Sequence, residues 1–445
     1  MSDAPLPFPT APGAVPLLGH LPQLARAPLP FVRQLRRHGP VVRLRLAHRE
    51  ALAITNPRLV RRILVDDAHQ FDKGGSVADS MERTLGNSLV TCPADEHPRQ
   101  RGLMNPGFHP SRMPRYSEAM LGAAVEVVES WAPGRNLHLE HEAHRLAALA
   151  VARSLVAAPA AASAAAVLAE GLPDISRGMY WRGLLPGKAF ASLPLPVNRR
   201  YEQQMARTRH AMDLVTAQYR NSGEDYGDVL SKVAPACEHA ADLHQSIRDQ
   251  VLTLLFGAVE TTAAALVWTL RLIDEHKLAP RLRAELHDVV GGTLPTHEHI
   301  AQLDYLQRVI TEALRLHPPA WLGTRVATAS VSWPEGTIPE GTDVTFSPYA
   351  LHRDPSVFED PDAFHPDRWK RENVTSDQRR FHFAFGAGKR KCIGDDFAMT
   401  ELALALAVIL TKWQLHHHPS PAAQPTPRFI LAPPPTSVTL QALEG

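Results

Sequence analysis

The sequence predicts a mainly α fold with a small β region, and three observations predict it. Ala- and Leu-rich stretches with apolar residues at helical spacing dominate the chain from Arg115 to Leu316. Short alternating apolar–polar segments lie near both ends. From residue 340 to Cys392 the chain is rich in Pro, Asp and aromatic residues with little periodicity, and long loops of that kind are functional or wrap around something.

Taken in order, residues 1–20 read as a Pro-rich arm. Alternation from Val41 to Thr55, around Arg43-Leu44-Arg45-Leu46, predicts a strand pair, and 57–66 a short helix. Helical spacing then predicts helices over 116–131, 140–158, 160–171, 200–220, 244–274, 279–290 and 303–316. Strand signals return at 323–332, 343–346 and 428–441, so the β region draws on both ends of the chain. A final helical run spans Asp396 to Trp413. A prior of roughly 150 residues per domain suggests three domains. No separating linker is visible, however, and a single domain over 1–445 is expected.

Bulk properties exclude several classes. The 445 residues are 44% apolar and 21% charged, with formal charge +1, so nothing global points to nucleic acid. Three well-separated cysteines (Cys92, Cys237 and Cys392) argue against a disulfide framework and for a reducing cytoplasm. The opening Met-Ser-Asp-Ala-Pro-Leu-Pro-Phe-Pro reads neither as a signal peptide nor as a membrane anchor. Val251–Leu270 is apolar over a bilayer's length, but Glu260 in its middle costs roughly 2.5 kcal/mol or more in lipid. A helix buried through the centre of the protein is the better reading.

Chemistry concentrates in Phe385-Gly386-Ala387-Gly388-Lys389-Arg390-Lys391-Cys392-Ile393-Gly394, just ahead of the last helix. A thiolate before a helix N-terminus is favoured by backbone N–H groups and the helix dipole. Gly388 and Gly394 permit tight turns and close approach to a flat object, and Arg390 can reach a carboxylate on it. A phosphate loop would need Ser or Thr after Gly-Lys, where this chain has Arg390. Taken alone, a Cys in a Gly-rich turn is more often a small buried hydrophobe.

The ten-residue pattern matches, at every fixed position, the haem-binding signature of the cytochrome P-450 family, and the chain resembles that family from about residue 10 to its end. The resemblance implies the P-450 fold, with haem b (iron protoporphyrin IX) between the central helix and the Cys loop. Cys392 is then the iron ligand, and Phe385, Gly388, Arg390 and Gly394 belong to the cofactor site. Glu312-Ala313-Leu314-Arg315 and Arg368, in Phe364-His365-Pro366-Asp367-Arg368-Trp369, resemble the family's structural motifs and imply a network of Glu312, Arg315 and Arg368 that locks the loop. Read alone, Glu312 and Arg315 would be a surface ion pair of little value. Gly257-Ala258-Val259-Glu260-Thr261-Thr262 resembles the oxygen-activation motif, with Ala258 where the family usually has Gly. It implies Thr261 holding a water beside oxygen and Glu260 relaying protons from solvent. Such a Thr otherwise bonds back to the preceding helical turn. His97 and Arg101, in His97-Pro98-Arg99-Gln100-Arg101, are implied as propionate contacts with Arg390 and Arg325.

The function implied is a monooxygenase that inserts one oxygen atom from O₂ into a C–H bond of an apolar small molecule. Phe71-Asp72-Lys73-Gly74-Gly75, Leu89-Val90-Thr91 and Asn105-Pro106-Gly107-Phe108-His109 most resemble soluble bacterial hydroxylases of cyclic terpenes, of the pentalenene oxygenase type. A sesquiterpene or diterpene hydrocarbon is the expected substrate, with fatty acids or macrolides as the alternative. Phe256, Trp321 and Leu322 are expected near the haem, under a lid from 74–92 and 172–195. No flavin or pyridine-nucleotide module is present, so a ferredoxin and its reductase are expected to carry electrons from NAD(P)H. Arg99, Lys389, Lys391 and Lys412 are candidates for the dock, against ordinary surface charge as the plain reading. A peroxide-driven haem enzyme and a non-catalytic haem carrier or sensor are the rivals from other classes. The histidines of 138–144 lack zinc-protease spacing, because Arg145 stands where the second His would be, and His416-His417-His418 reads as a surface tract.

Overall fold

The computed structural model describes residues 8–185, 188–222, 224–234, 243–418 and 424–443; Cys237 and the 186–187 part of the expected lid lie outside them. A helical body surrounds one long central helix, Leu243–Glu275. By length and composition this helix is able to cross a membrane, but its apolar window is 83% buried inside the fold. It is apolar on all sides because protein covers all sides: it packs on Leu139–Ser154, Pro196–Ser222, Ala161–Leu184, Asp304–Leu316 and Asp395–Lys412. Ala263, Ala264 and Ala265 are buried along it, small enough for close approach by its neighbours.

The main sheet has five strands in the order Val41–Leu46, Arg49–Ile54, Asp343–Phe346, Gly323–Ala327 and Phe71–Asp72. Its hairpin is antiparallel, with Val41 opposite Ile54. Leu52 then pairs in parallel with Val344, and Val344 pairs with Arg325 on its other side. Phe71 pairs with Ala327. This order joins the two ends of the chain, as expected, and it carries Lys73 and Arg325 to one side of the central helix.

The remaining differences from expectation have local causes. The helix expected over 160–171 continues to Leu184 through Pro173. The proline forfeits one backbone bond, and burial of Leu168, Leu172 and Ile175 holds both halves in line. Only Pro57–Arg61 of the 57–66 helix is α-helical; Arg62–Asp66 widens to a π turn closed by Asp67 N–H donating to the Arg62 carbonyl at 2.7 Å. The last helix ends at Lys412, and Trp413–His417 is a strand opposite Ser437–Ala442. Its histidines face partners in that setting, His416 toward Gln441 and His417 toward Asp274. The strand expected over 428–441 is broken into Leu431–Ala432 and Ser437–Ala442.

Candidate active site

One large cavity of about 810 Å³ lies between the central helix and the loop before the last helix. Cys392 is on its wall, open to the cavity and enclosed by protein elsewhere. Two backbone bonds fold its loop into a narrow hairpin: Cys392 N–H donates to the Phe385 carbonyl at 2.9 Å, and Lys391 N–H to that of Gly388 at 3.0 Å. Gly388 has φ +69°, and a Cβ there would meet the Leu64 carbonyl oxygen at 1.9 Å. The loop therefore rests on the π turn, and Gly388 serves that contact; it does not line the cavity, whereas Phe385, Arg390 and Gly394 of the same loop do.

The last helix begins at Asp395, three residues after the cysteine. Burial nevertheless pushes the Cys392 thiol up, with Asp395 acting in the same direction. The Gly394 backbone, Arg101 and Lys391 oppose it. Burial is thus the larger influence on the sulfur, and the neighbouring backbone and cations are the opposing one.

Across the cavity stands the central helix. Gly257, Ala258, Thr261 and Thr262 line the wall. The Thr261 hydroxyl donates to the Gly257 carbonyl at 2.6 Å, the backward bond a Thr makes in an apolar helix. A Cβ on Gly257 would meet nothing within 4 Å, so the wall is recessed there. Glu260 is elsewhere. It is buried, does not line the cavity, and one of its carboxylate oxygens has no partner. Burial raises its carboxyl to about 8, against the opposing pull of Ser176 and Arg428. The expected acid–alcohol pair is adjacent in sequence but faces two sides of one helix.

At one end of the cavity, basic side chains gather. His97, Arg101, Arg325 and Arg390 all line it, and Lys73, which sequence reasoning did not select, joins them. Burial, then Arg325 and Arg390, lower the Lys73 ammonium to about 7. Burial and the nearby Arg390 and Arg101 lower His97 to about 4, and burial lowers Arg325 to about 10. Arg390 is not free: it pairs with Asp72 at 2.8 Å and donates to the Cys92 carbonyl at 3.0 Å. Arg101 donates to the Lys391 carbonyl at 2.6 Å, tying the His97–Met104 helix to the Cys loop. Among the described residues, Asp72 is the one acidic residue ion-paired within this group.

This arrangement fits a haem. A thiol faces a recessed glycine across an apolar gap, and the crowded cations at one end can take two propionates, whose charge would relieve their mutual repulsion.

Behind the loop, Glu312 is fully buried and fully engaged. It accepts from Arg315 at 2.8 and 2.9 Å, from Arg368 Nε at 2.9 Å, from Trp369 Nε1 at 2.8 Å and from the His365 backbone at 2.9 Å. Arg315 also donates to the carbonyls of His352, Pro361 and Ala363. His352 carries the network forward: Phe383 N–H donates to its Nε2 at 2.7 Å, so Nδ1 holds the proton and donates to the Arg315 carbonyl at 2.9 Å. The grouping of Glu312, Arg315 and Arg368 was implied by the family resemblance, whereas the residues read alone pointed to a surface ion pair; the bonds join all three in a buried cluster, and the His352 link to the Cys loop carried no sequence signal.

Phe256, Trp321 and Leu322 line the cavity. The Phe256 and Phe429 rings meet edge to face at 6.0 Å, and Trp321 Nε1 donates to the Arg428 carbonyl at 3.0 Å. The lid segments contribute Val77, Met81, Met179, Tyr180 and Phe190. Of the proposed dock, Arg99 and Lys389 are exposed, whereas Lys391 pairs with Asp395 and Lys412 with Glu129.

Comparison with known proteins agrees with this geometry. The profile of the family described as Cytochrome P450 matches residues 9–151 and 192–440. "Cyclooctatin synthase" of Streptomyces melanosporofaciens is 40% identical over 95% of this chain and 93% of its own. "Cyclooctat-9-en-7-ol 5-monooxygenase" of the same organism is 38% identical over 92% and 90%. "Pentalenene oxygenase" of Streptomyces avermitilis is 35% identical over 94% and 93%. The crystal structure of the cytochrome P450DA haem domain superposes with a TM-score of 0.84 at 24% identity, covering 98% of each chain, which shows the shared fold. With a family match over most of its length and relatives this similar, the chain belongs to the cytochrome P450 family and is a haem-iron monooxygenase that uses O₂ and an electron-donating partner.

Proposed function

We propose that the chain is a single-domain, cytoplasmic monooxygenase that hydroxylates a cyclic terpene, with haem b held by Cys392 and electrons delivered by a ferredoxin and its reductase. The observation that carries the substrate class is the cavity wall, where Phe256, Trp321, Leu322 and Phe429 present apolar surface with few fixed polar anchors. Names of similar chains support it, since pentalenene and cyclooctat-9-en-7-ol appear in them.

When bound, the haem iron supplies the activation of O₂ and the transfer of one oxygen atom to carbon, with the other leaving as water. The chain's own residues do the rest. Cys392 is the ligand, and Lys73, His97, Arg101, Arg325 and Arg390 receive the propionates. Thr261 presents its hydroxyl at the cavity wall, where it can hold a water and pass a proton. Glu260, protonated at neutral pH by its burial, is the proton store behind the helix rather than a group in the cavity. Arg99 and Lys389, exposed and without an ion pair among the described residues, offer charge for an acidic electron donor. Phe and Trp walls hold the hydrocarbon and exclude water.

The test is an optical titration of purified ferric protein with cyclic sesquiterpenes and diterpenes, fatty acids and macrolides, followed by turnover with a surrogate ferredoxin system. A saturable spin-state shift with a terpene, and product from it, is the expected result. Shifts confined to fatty acids or macrolides would remove the terpene reading and leave the monooxygenase.

A further inference from the structure

Two surface segments at the cavity mouth share an unusual composition. Between Asp3 and Glu50 the chain has no acidic residue and carries Arg26, Arg33, Arg36, Arg37, Arg43, Arg45 and Arg49. Between Asp174 and Glu202 it again has none, and carries Arg177, Arg182, Lys188, Arg199 and Arg200. These same segments hold most of the exposed large apolar side chains among the described residues. Leu17 is 91% exposed, Leu18 50%, Val15 40%, Leu193 49% and Leu195 39%.

Both segments rim one opening. Leu18, Leu21 and Leu24 from the first and Phe190 from the second line the cavity. The Tyr180 hydroxyl donates to the Leu24 carbonyl at 2.7 Å, fastening the first segment to the Ala161–Leu184 helix. Leu17 sits at the tip of a small hairpin closed by Val15 and Gly19, in a left-handed conformation (φ +63°). Ala47 N–H donates to the Leu18 carbonyl at 3.2 Å, so the turn before Arg49 lies beside this tip. Among the described residues little covers Leu17, so burial does not offset that backbone conformation.

The charges are partly spent inside the fold and partly not. Arg33 and Arg36 pair with Asp362 and Asp354, Arg43 with Glu50, and Arg182 with Glu202. Arg26, Arg45, Arg199 and Arg200 are exposed and enter no ion pair among the described residues. Leucines projecting from two rim segments whose own unpaired charge is all positive match a surface that is apolar below and anionic above, the cross-section of an anionic lipid leaflet; the third lining segment, around Val77 and Met81, carries Asp79 and Glu82 and is left out of the contact.

We infer that the cavity mouth docks peripherally on an anionic lipid surface through Leu17, Leu18, Leu193 and Leu195, with Arg26, Arg45, Arg199 and Arg200 facing the headgroups. Docked in this way, the opening lies against the phase in which an apolar substrate dissolves. The inference does not depend on which substrate that is.

The experiment is co-sedimentation of the haem-loaded full chain with vesicles of phosphatidylglycerol and phosphatidylcholine, and with phosphatidylcholine alone, at low and high salt. Binding is expected to the anionic vesicles only and to fall as salt rises. Each Arg→Glu change at Arg45 or Arg199 is expected to lower partitioning about fivefold or more at low salt. The double variant Leu17→Ser, Leu193→Ser is expected to lose binding while keeping the parent's haem spectrum and melting temperature. No binding to anionic vesicles at low salt would overturn the inference and leave the rim as a protein-docking surface. Binding that survives both the charge and the leucine variants would overturn it as well.

Discussion

Glu312 and Arg368 lie 56 residues apart in sequence and meet at 2.9 Å with both side chains withdrawn from solvent. Neither charge is tolerable alone at that depth, so the pair persists because Arg315, Trp369 and the His365 N–H complete the carboxylate's bonds. Desolvation by itself would raise Glu312; the two guanidiniums instead hold its carboxyl below the usual range. The Glu312→Ala variant strands Arg315 and Arg368, and a loss of about 3–5 kcal/mol is expected. Because His352 passes this order to Phe383, haem retention is expected to fall with it. Denaturant melts and haem stoichiometry read the two effects; a variant that is stable and fully loaded would refute the link.

Thr261→Ala removes the hydroxyl that lines the cavity and leaves the helix intact, since its bond to Gly257 is a backward one the helix does not need. Product formed per NAD(P)H consumed is expected to drop about tenfold or more, within the range that a positioned proton donor contributes. Substrate-induced spin shifts are expected to stay near those of the parent. Restoration of coupling by Thr261→Ser would separate loss of the hydroxyl from loss of packing.

Burial holds Glu260 at about 8 against an ordinary 4.5. The folded chain keeps a proton that the unfolded chain releases, so this group's contribution to stability falls as pH rises from about 4.5 to about 8 and is level outside that window. Glu260→Gln abolishes the penalty. The variant is expected to match the parent near pH 4 and to exceed it above pH 8, by up to several kcal/mol. Turnover is expected to fall on the order of a hundredfold, because an amide cannot relay a proton. Denaturant titrations at the two pH values decide the first point: a stability gap that does not change with pH would mean that Glu260 is not held protonated.

What was legible in the sequence follows from what kind of contact defines each part. The Cys392 loop and the Gly257–Thr262 helix are local, with spacing set by a hairpin and a helical turn, and both stood out in the chain. The mainly α body was legible from period alone. The cation cluster was only half legible. Arg101 and Arg390 stand in motifs, but Lys73 reaches the site because Phe71 pairs with Ala327 across the sheet, a non-local pairing that no local pattern encodes. Trp413–His417 was hidden for the same reason, being a strand only because Leu415 sits opposite Leu440. The resemblance gave Glu260 a relay role beside Thr261 without saying which way it faces, and adjacent helical residues point about 100° apart.

Lys73 gives a prediction whose sign reverses with haem. Burial, then Arg325 and Arg390, depress its ammonium from 10.5 to about 7. The unfolded chain binds more protons across that window, so this group costs the apoprotein most below pH 7 and the cost fades as pH rises toward about 10.5. Lys73→Met is therefore expected to raise the melting temperature of the haem-free chain at pH 7. The same variant is expected to lose haem faster to an excess of scavenger apoprotein, because one propionate partner is gone. A stabilised apoprotein with unchanged haem loss would remove Lys73 from the cofactor site and leave it a strained core lysine.

Gly388 in the Cys loop and Gly257 in the central helix differ in what a single methyl group would meet. At Gly388 the backbone is left-handed and a Cβ would sit 1.9 Å from the Leu64 carbonyl oxygen, part of a backbone that cannot swing aside. Gly388→Ala is expected to cost more than about 1 kcal/mol from conformation alone, and more again from moving the Cys loop off the π turn. At Gly257 the helix is ordinary and the space beyond is open. Gly257→Ala is expected to leave folding unchanged or slightly improved, since Ala favours helix by about 1 kcal/mol over Gly. The added methyl lies in the cavity beside Thr261, so its cost is expected in the active site, as weaker binding of bulky substrates and a changed product ratio. Melting curves and spin-shift titrations of the two variants make the comparison. Equal destabilisation of both would show that the recess at Gly257 is filled by protein rather than kept for cofactor and substrate.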